Sequence, residues 1–211
     1  MTCAMPDSQP NRNVRRKKET RNRIIRAAEA LMRERGVEPV TIQDITERAD
    51  VGHGSFYVHF ESKSDVLTPI AQEHARTFNE RLTRLTGNEP DPALAFAINV
   101  RHLIREIAND ELWSYFVFRS GLPNEKLREG IGDSGRRDLE VGLASGRFSF
   151  EDIQTVTSFL LGALVGVLDD VANELIPSSA FDQAAELVLR VVGLDRTEAR
   201  ALAHRELPPL A

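Results

Sequence analysis

VGHGSFYVHF, residues 51–60, is the stretch on which the reading of the whole chain turns. Gly52 and Gly54 sit within three residues, and Phe56, Tyr57, His59 and Phe60 follow at once. Glycine weakens a helix by about 1 kcal/mol relative to alanine. Clustered aromatic rings, by contrast, want a packed surface. An element that needs both must leave its start bare and anchor its end. The flanking residues supply the setting. Thr41 stands as an N-cap with Asp44 three residues on, a variant of the capping box. Ile42, Ile45 and Ala49 then share one face of a short helix, and the tight turn ADVG, 49–52, joins it to the quoted stretch. Upstream, Ile24, Ala27, Ala28 and Leu31 recur at helical spacing until Gly36 closes that helix. Three short helices with a tight turn between the last two have helix-turn-helix spacing.

In such a unit the second helix lies in the major groove with its N-terminal residues at base edges. Small residues there let the backbone come close to DNA. Gly52 and Gly54 meet that need, and Gly52 also serves as a weak N-cap. Amides at a helix N-terminus favour phosphate oxygens. Tyr57, His59 and Lys63 are within reach of phosphates, with Phe56 or Phe60 as the anchor. Phosphate contacts position such a protein, and base contacts specify the sequence.

The net charge of −5 looks wrong for this partner, but the charge is uneven. Residues 1–65 carry +2 and residues 66–211 carry −7. Within residues 12–26, eight basic side chains (Arg12, Arg15, Arg16, Lys17, Lys18, Arg21, Arg23, Arg26) face one acid, Glu19. That basic run is read as tracking phosphates at one end of an acidic body. The single cysteine, Cys3, allows neither an intrachain disulfide nor a cysteine metal site, which fits a reducing cytoplasm. The first residues lack the apolar stretch of a signal peptide. The run FLLGALVGVL, 159–168, is about half of the roughly 20 residues that span a bilayer, so no membrane partner is expected.

Residues 1–14 are polar and proline-bearing and read as a disordered tail. A helix is expected over residues 62–86, broken at Gly87-Asn88-Glu89-Pro90. The next opens at Asp91-Pro92, with proline at its first position, and a turn follows at Asn109-Asp110. Gly121-Leu122-Pro123 breaks the chain again before a polar helix that reaches Gly146. From Phe150 a long helix is apolar almost all round and should be covered on more than one face. Further helices are expected over 180–192 and 195–206. With no β alternation, the fold class is all-α. The expected division is a tail at 1–14, a three-helix helix-turn-helix domain at 15–62, and a helical-bundle ligand-binding and dimerisation domain at 63–211.

The run TIQDITERADVGHGSFYVHFESKSDVL, 41–67, resembles the DNA-binding signature of the tetracycline-repressor (TetR) family. The likeness rests on Thr41, Asp44-Ile45, Ala49, Val51, Gly54, Tyr57, His59-Phe60, Ser62-Lys63 and Leu67, and the upstream helix and overall length fit too. The resemblance implies an all-helical homodimer with an N-terminal DNA-binding unit and a C-terminal domain for a small molecule that releases it from DNA. By the motif, Thr41, Tyr57, His59 and Lys63 would contact phosphates, and Gln43, His53 and Ser55 would face base edges. The chain departs from the pattern at three places. Asp50 replaces the glycine common at the turn, Gly52 replaces a serine or threonine cap, and Ser55 replaces threonine. Aspartate tolerates left-handed geometry better than most residues, so the turn can survive.

The aromatic set around LWSYFVF, 112–118, is either plain core or the wall of an apolar effector pocket. Phe96, His102, Trp113, Phe116 and Arg119 are the candidates for such a pocket. Gly162, Ala163 and Gly166 allow close helix approach. The 151–175 and 180–192 helices are therefore expected to form a dimer seam, through Leu161, Leu164, Val165, Leu168, Leu187 and Val191. Such a dimer would hold two recognition helices about 34–36 Å apart and demand a near-palindromic, double-stranded operator.

Other classes find little support. GIGDSG, 130–135, fits G-x-G-x-x-G but lacks the preceding strand, and reads as a loosened helix or loop near the ligand cavity. Five histidines form no metal-binding spacing, and no nucleophile elbow or phosphate-binding lysine loop occurs, so neither cofactor, metal nor enzymatic activity is expected. The expected function is that of a repressor, with an activator or a ligand-independent architectural protein as the alternative.

Overall fold

Ten helices organise residues 12–119 and 133–210, which the structure, a computed structural model, describes; no strand occurs among them. They are α1 (Arg12–Arg35), α2 (Ile42–Arg48), α3 (His53–Tyr57), α4 (Lys63–Thr86), α5 (Pro92–Asn109), α6 (Glu111–Phe118), α7 (Asp133–Ala144), α8 (Ile153–Ala172), α9 (Ala180–Val191) and α10 (Arg196–Ala203). The chain divides into two compact units, one ending at Ile70 and the other beginning at Ala71. The division falls inside α4, beside Pro69, which has no N–H to continue the helical ladder.

The first unit is built on local signals. Gly36 takes a φ of +79° just past α1, as a helix C-terminus favours. Thr41 caps α2 with the reciprocal bonds of a capping box: its backbone N–H donates to Asp44 Oδ2 at 2.8 Å, and its Oγ1 accepts from the Asp44 amide at 3.1 Å. The Thr41 hydroxyl bond holds the Asp44 carboxyl below its ordinary 3.8. Ile24, Ala28, Ile45, Phe56 and Val66 are fully buried, so the aromatic end of the quoted stretch is indeed the anchor. The expected disordered tail is corrected at its end, because Arg12, Asn13 and Val14 belong to the first turn of α1.

In the second unit α5 is central and packs against α6, α7, α8, α9 and α10. Its N-cap Asp91 accepts from the Ala93 amide and ion-pairs with Arg147, which also reaches Glu198 at the start of α10. Asp182 on α9 receives Arg101 Nε at 2.8 Å and Arg105 Nη2 at 2.7 Å from α5. Arg101 is buried, so these bonds supply the partner a charge needs away from water.

The expected breaks at Gly121-Leu122-Pro123 and at residues 130–132 of GIGDSG lie outside the described residues. From Asp133 the chain is helical. The 20-residue α8 is long and apolar enough to cross a membrane by length and composition, which the 159–168 run understated. Only 17% of its most apolar window is buried, unlike the core helix of a soluble protein.

Candidate nucleic-acid interface and regulatory cavities

The turn between α2 and α3 carries the departure at Asp50. This residue takes a φ of +50°, which strains most side chains but suits aspartate and asparagine. Arg23 of α1 holds it there. Its Nη2 donates to the Asp50 backbone carbonyl at 2.6 Å and to Oδ2 at 3.0 Å. Val51 N–H closes the turn onto the Thr46 carbonyl at 3.0 Å. The missing glycine is thus compensated from another helix.

α3 starts at Gly52, an extended N-cap with no side-chain bond. A Cβ at Gly54 would meet nothing within 4 Å, and one at Gly52 only Ser55 Oγ at 3.9 Å. Packing within the chain therefore does not demand either glycine. Bare backbone at this place leaves room for something outside the chain. His53, Gln43 and Tyr57 are exposed, and Ser55 is half-buried. His53 meets Tyr57 edge-on at 5.4 Å, and Tyr57 meets buried Phe56 in the same way at 5.5 Å. The Tyr57 ring is thereby fixed while its residue stays 53% exposed.

Electrostatics at this surface are set by α1. Burial, and then the charges of Lys17 and Arg21, hold His59 below its ordinary 6.5. The Arg21 guanidinium lies 5.1 Å from the Phe60 ring centroid. His59 is therefore a neutral donor or acceptor near pH 7, beside fixed positive charge. Two of the expected contacts have internal duties. Lys63 Nζ donates to the carbonyls of Val37 and Glu38 at 3.0 Å each, leaving one of its three N–H bonds for another acceptor. The Thr41 hydroxyl donates to Asp44, and Gln43 Nε2 donates to Glu47 at 2.9 Å.

The five residues expected at an effector pocket do not gather at one cavity. Phe96 lines an apolar cavity of about 60 Å³ with Val100, Leu103, Leu139, Leu160 and Leu164. One water needs roughly 10–15 Å³ on this scale, so the space suits only a few small groups. Trp113 and Phe116 are core residues with rings 6.1 Å apart, and Trp113 packs at a tilt against His74 with ring centroids 4.6 Å apart. His102 Nε2 lies 3.0 Å from the Pro208 carbonyl and so holds the C-terminal segment. Arg119 is exposed at a separate surface cleft beside Glu111, Tyr115 and Asp169. Another cleft, between α4, α5 and α7, is lined by Thr86, Asn99 and Asp138. Asp138 carried no signal in the sequence, because its partner Asn99 lies 39 residues away.

The expected dimer residues split by face. Leu164 and Leu168 are buried in the chain's own core, which corrects their place on an outer seam. Leu161 and Val165 are half-buried, while Leu187 is 56% and Val191 38% exposed. Phe159, 61% exposed, lies on the open side of α8 together with Gly162, Ala163 and Gly166. Among the described residues, no group of three His, Cys, Asp or Glu side chains is placed to hold a metal ion.

Two family models match the chain. One, described as bacterial regulatory proteins, tetR family, covers residues 24–68; the other, described as tetracyclin repressor-like, C-terminal domain, covers residues 91–205. The crystal structure of RolR in complex with its ligand resorcinol is 33% identical and superposes with a TM-score of 0.86, over 94% of this chain and 100% of that one. The regulator TtgR of Pseudomonas putida is 37% identical over 82 residues, which span 37% of this chain and only 39% of that protein. An HTH-type transcriptional regulator of Lactococcus lactis subsp. lactis is 23% identical over 150 residues, 71% of each chain. The matches meet the site at its own residues, since the N-terminal model spans α2, the Asp50 turn and α3. The chain belongs to the TetR family and is a helix-turn-helix, DNA-binding regulator of transcription rather than an enzyme.

Proposed function

We propose that this regulator is a repressor that binds a near-palindromic operator as a homodimer and leaves it on binding a small apolar or aromatic effector. The observation that carries the reading is α3 itself: a bare glycine start, exposed His53 and Tyr57, and the basic face of α1 beside it. In this reading Tyr57, His59 and Lys63 take phosphates, with Thr41 sharing its hydroxyl with Asp44. Gln43, His53 and Ser55 face base edges, and Gly52 and Gly54 give the backbone clearance.

The homodimer rests on α8. A helix so apolar and so little buried needs a cover, and a second copy supplies one without a membrane. Phe159, Gly162 and Gly166, with Leu187 and Val191 of α9, form the proposed seam. A chromosomal operator places its action in the cytoplasm. The effector class draws support from RolR, whose ligand is a small hydroxylated ring. Release is a population shift, in which the effector favours one arrangement of α4 over another; a ligand with equal affinity for both would do nothing. Such coupling is typically about 1–3 kcal/mol.

Selection of bound fragments from the source genome tests this, with and without about 300 mM salt. The expected result is one enriched inverted repeat, lost steeply in salt and released by resorcinol or a related ring compound. Salt-sensitive binding with no enriched site would reject the reading and leave only a non-specific basic surface.

A further inference from the structure

α5 and α7 present two different walls. Phe96, Val100 and Leu103 of α5 and Gly135 and Leu139 of α7 line the apolar cavity. Pro92, Ala95 and Asn99 of α5 and Ser134, Asp138 and Val141 of α7 line the other cleft, which Leu82, Thr83 and Thr86 of α4 complete. The second cleft offers about 200 Å³, several times the first and enough for a single ring.

Its polar groups form an ordered chain. The Thr86 hydroxyl lies 3.0 Å from both the Leu82 carbonyl and Asn99 Oδ1 and shares its one proton between them, and Asn99 Nδ2 donates to Asp138 Oδ2 at 2.8 Å. The bond to Asp138 sets the amide with its nitrogen toward the carboxylate. Asn99 is the one hydrogen-bond donor to Asp138 among the described residues, and a carboxylate offers about four lone-pair positions. Burial is the largest influence on Asp138 and raises its carboxyl above the ordinary 3.8, against the pull of Asn99 and Arg137. Glu89 adds a second acid to the lining, and no Lys, Arg or His lines the cleft among the described residues. The described wall is therefore rich in acceptors, with Leu82, Pro92, Ala95 and Val141 as its apolar floor.

We propose that this cleft is the effector site, and that Asp138, steadied by Asn99 and Thr86, reads a hydrogen-bond-donating hydroxyl or ammonium group on a small ring-bearing molecule. The proposal rests on the ligand-released reading above. It also gives that reading a route: an occupant against Leu82, Thr83 and Thr86 bears on the last turns of α4, the helix in which the two compact units divide.

Calorimetric titration of the full chain with phenol, benzylammonium and benzoate tests it, alongside operator affinity by fluorescence anisotropy. The intact protein should bind phenol or benzylammonium and leave benzoate unbound. Phenol alone identifies a hydroxyl reader, and benzylammonium alone a cation reader. Asp138→Leu should weaken the bound probe about 10- to 100-fold, the scale of a hydrogen bond to a charged group. Ala95→Phe fills the cleft from the α5 wall, one helical turn before Asn99, and should do the same. Asp138→Leu should keep operator affinity and Ala95→Phe should keep native helicity by circular dichroism, which separates a lost site from a lost fold. Undiminished binding in both variants, a preference for benzoate, or no binding of either donor probe would overturn the proposal. Loss only in Val100→Trp, which fills the apolar cavity, would move the effector there and leave ligand release intact. Absence of any operator for the unaltered protein would instead sink the regulatory reading itself.

Discussion

At the scale of single residues, Asp50 is where the sequence and its family pattern part. A glycine would take the left-handed turn without cost, whereas aspartate needs help. Arg23 gives that help through a carbonyl bond at 2.6 Å and a carboxylate bond at 3.0 Å. Both side chains are largely exposed, so the ion pair alone is worth little. The bond to the backbone fixes the angle at which α3 leaves the turn. Arg23→Ala should therefore weaken operator binding about 5- to 10-fold, near the 1 kcal/mol of a typical hydrogen bond. In an Asp50→Gly background the same change should cost little, because glycine needs no clamp. Fluorescence anisotropy on the four members of that double-mutant cycle checks the idea. An equal loss in both backgrounds would mean that Arg23 touches DNA directly.

At the scale of elements, what was legible in the sequence is what is local. The capping box of Thr41 and Asp44, the Gly36 stop and the Asp91-Pro92 start all lie within a few residues of the helix they set. Long-range pairings left no such trace. Gly142 is one: it reads as a loose point in a polar helix, yet a Cβ there would fall 1.9 Å from Phe148 Cδ2. Phe148 is buried and packs on Phe96 with ring centroids 5.6 Å apart, so it has little room to give. Gly142→Ala thus sets two effects against each other. Helix propensity gains about 1 kcal/mol, and overpacking costs about 1–3 kcal/mol. The overlap is deep enough for overpacking to win, and the midpoint of urea unfolding should fall. A higher midpoint would show that the Phe148 ring relocates freely. Asp138 was illegible for the same reason as Gly142, since neither its neighbours in sequence nor its spacing point to Asn99 or Thr86. The faces of α8 were illegible for the opposite reason. A helix apolar on every side has no period to show which leucines turn inward, so Leu164 and Leu168 could not be told from Phe159.

At the scale of the molecule, one exposed apolar helix and one basic end define what the protein can assemble with. The surplus of positive charge is confined to the first 65 residues, and the rest repels nucleic acid. A single recognition helix of five residues carries few base contacts, so specificity needs two half-sites and hence two copies. The open side of α8 is where the second copy is expected, and Phe159 is its largest exposed side chain on that helix. Phe159→Arg places a charge at the proposed seam without entering the protomer's core. An interface anchor lost in this way typically costs about 2 kcal/mol or more, roughly a 30-fold weaker association. Sedimentation velocity should then show monomers at concentrations where the unaltered chain is dimeric, with unchanged helicity and a loss of operator binding. Leu164→Glu is the contrasting variant. Leu164 is 92% covered within one chain, so a carboxylate there should unfold the protomer rather than merely separate two of them. A Phe159→Arg protein that stays dimeric would move the interface off this face of α8, and the apolar helix would then need another partner to cover it.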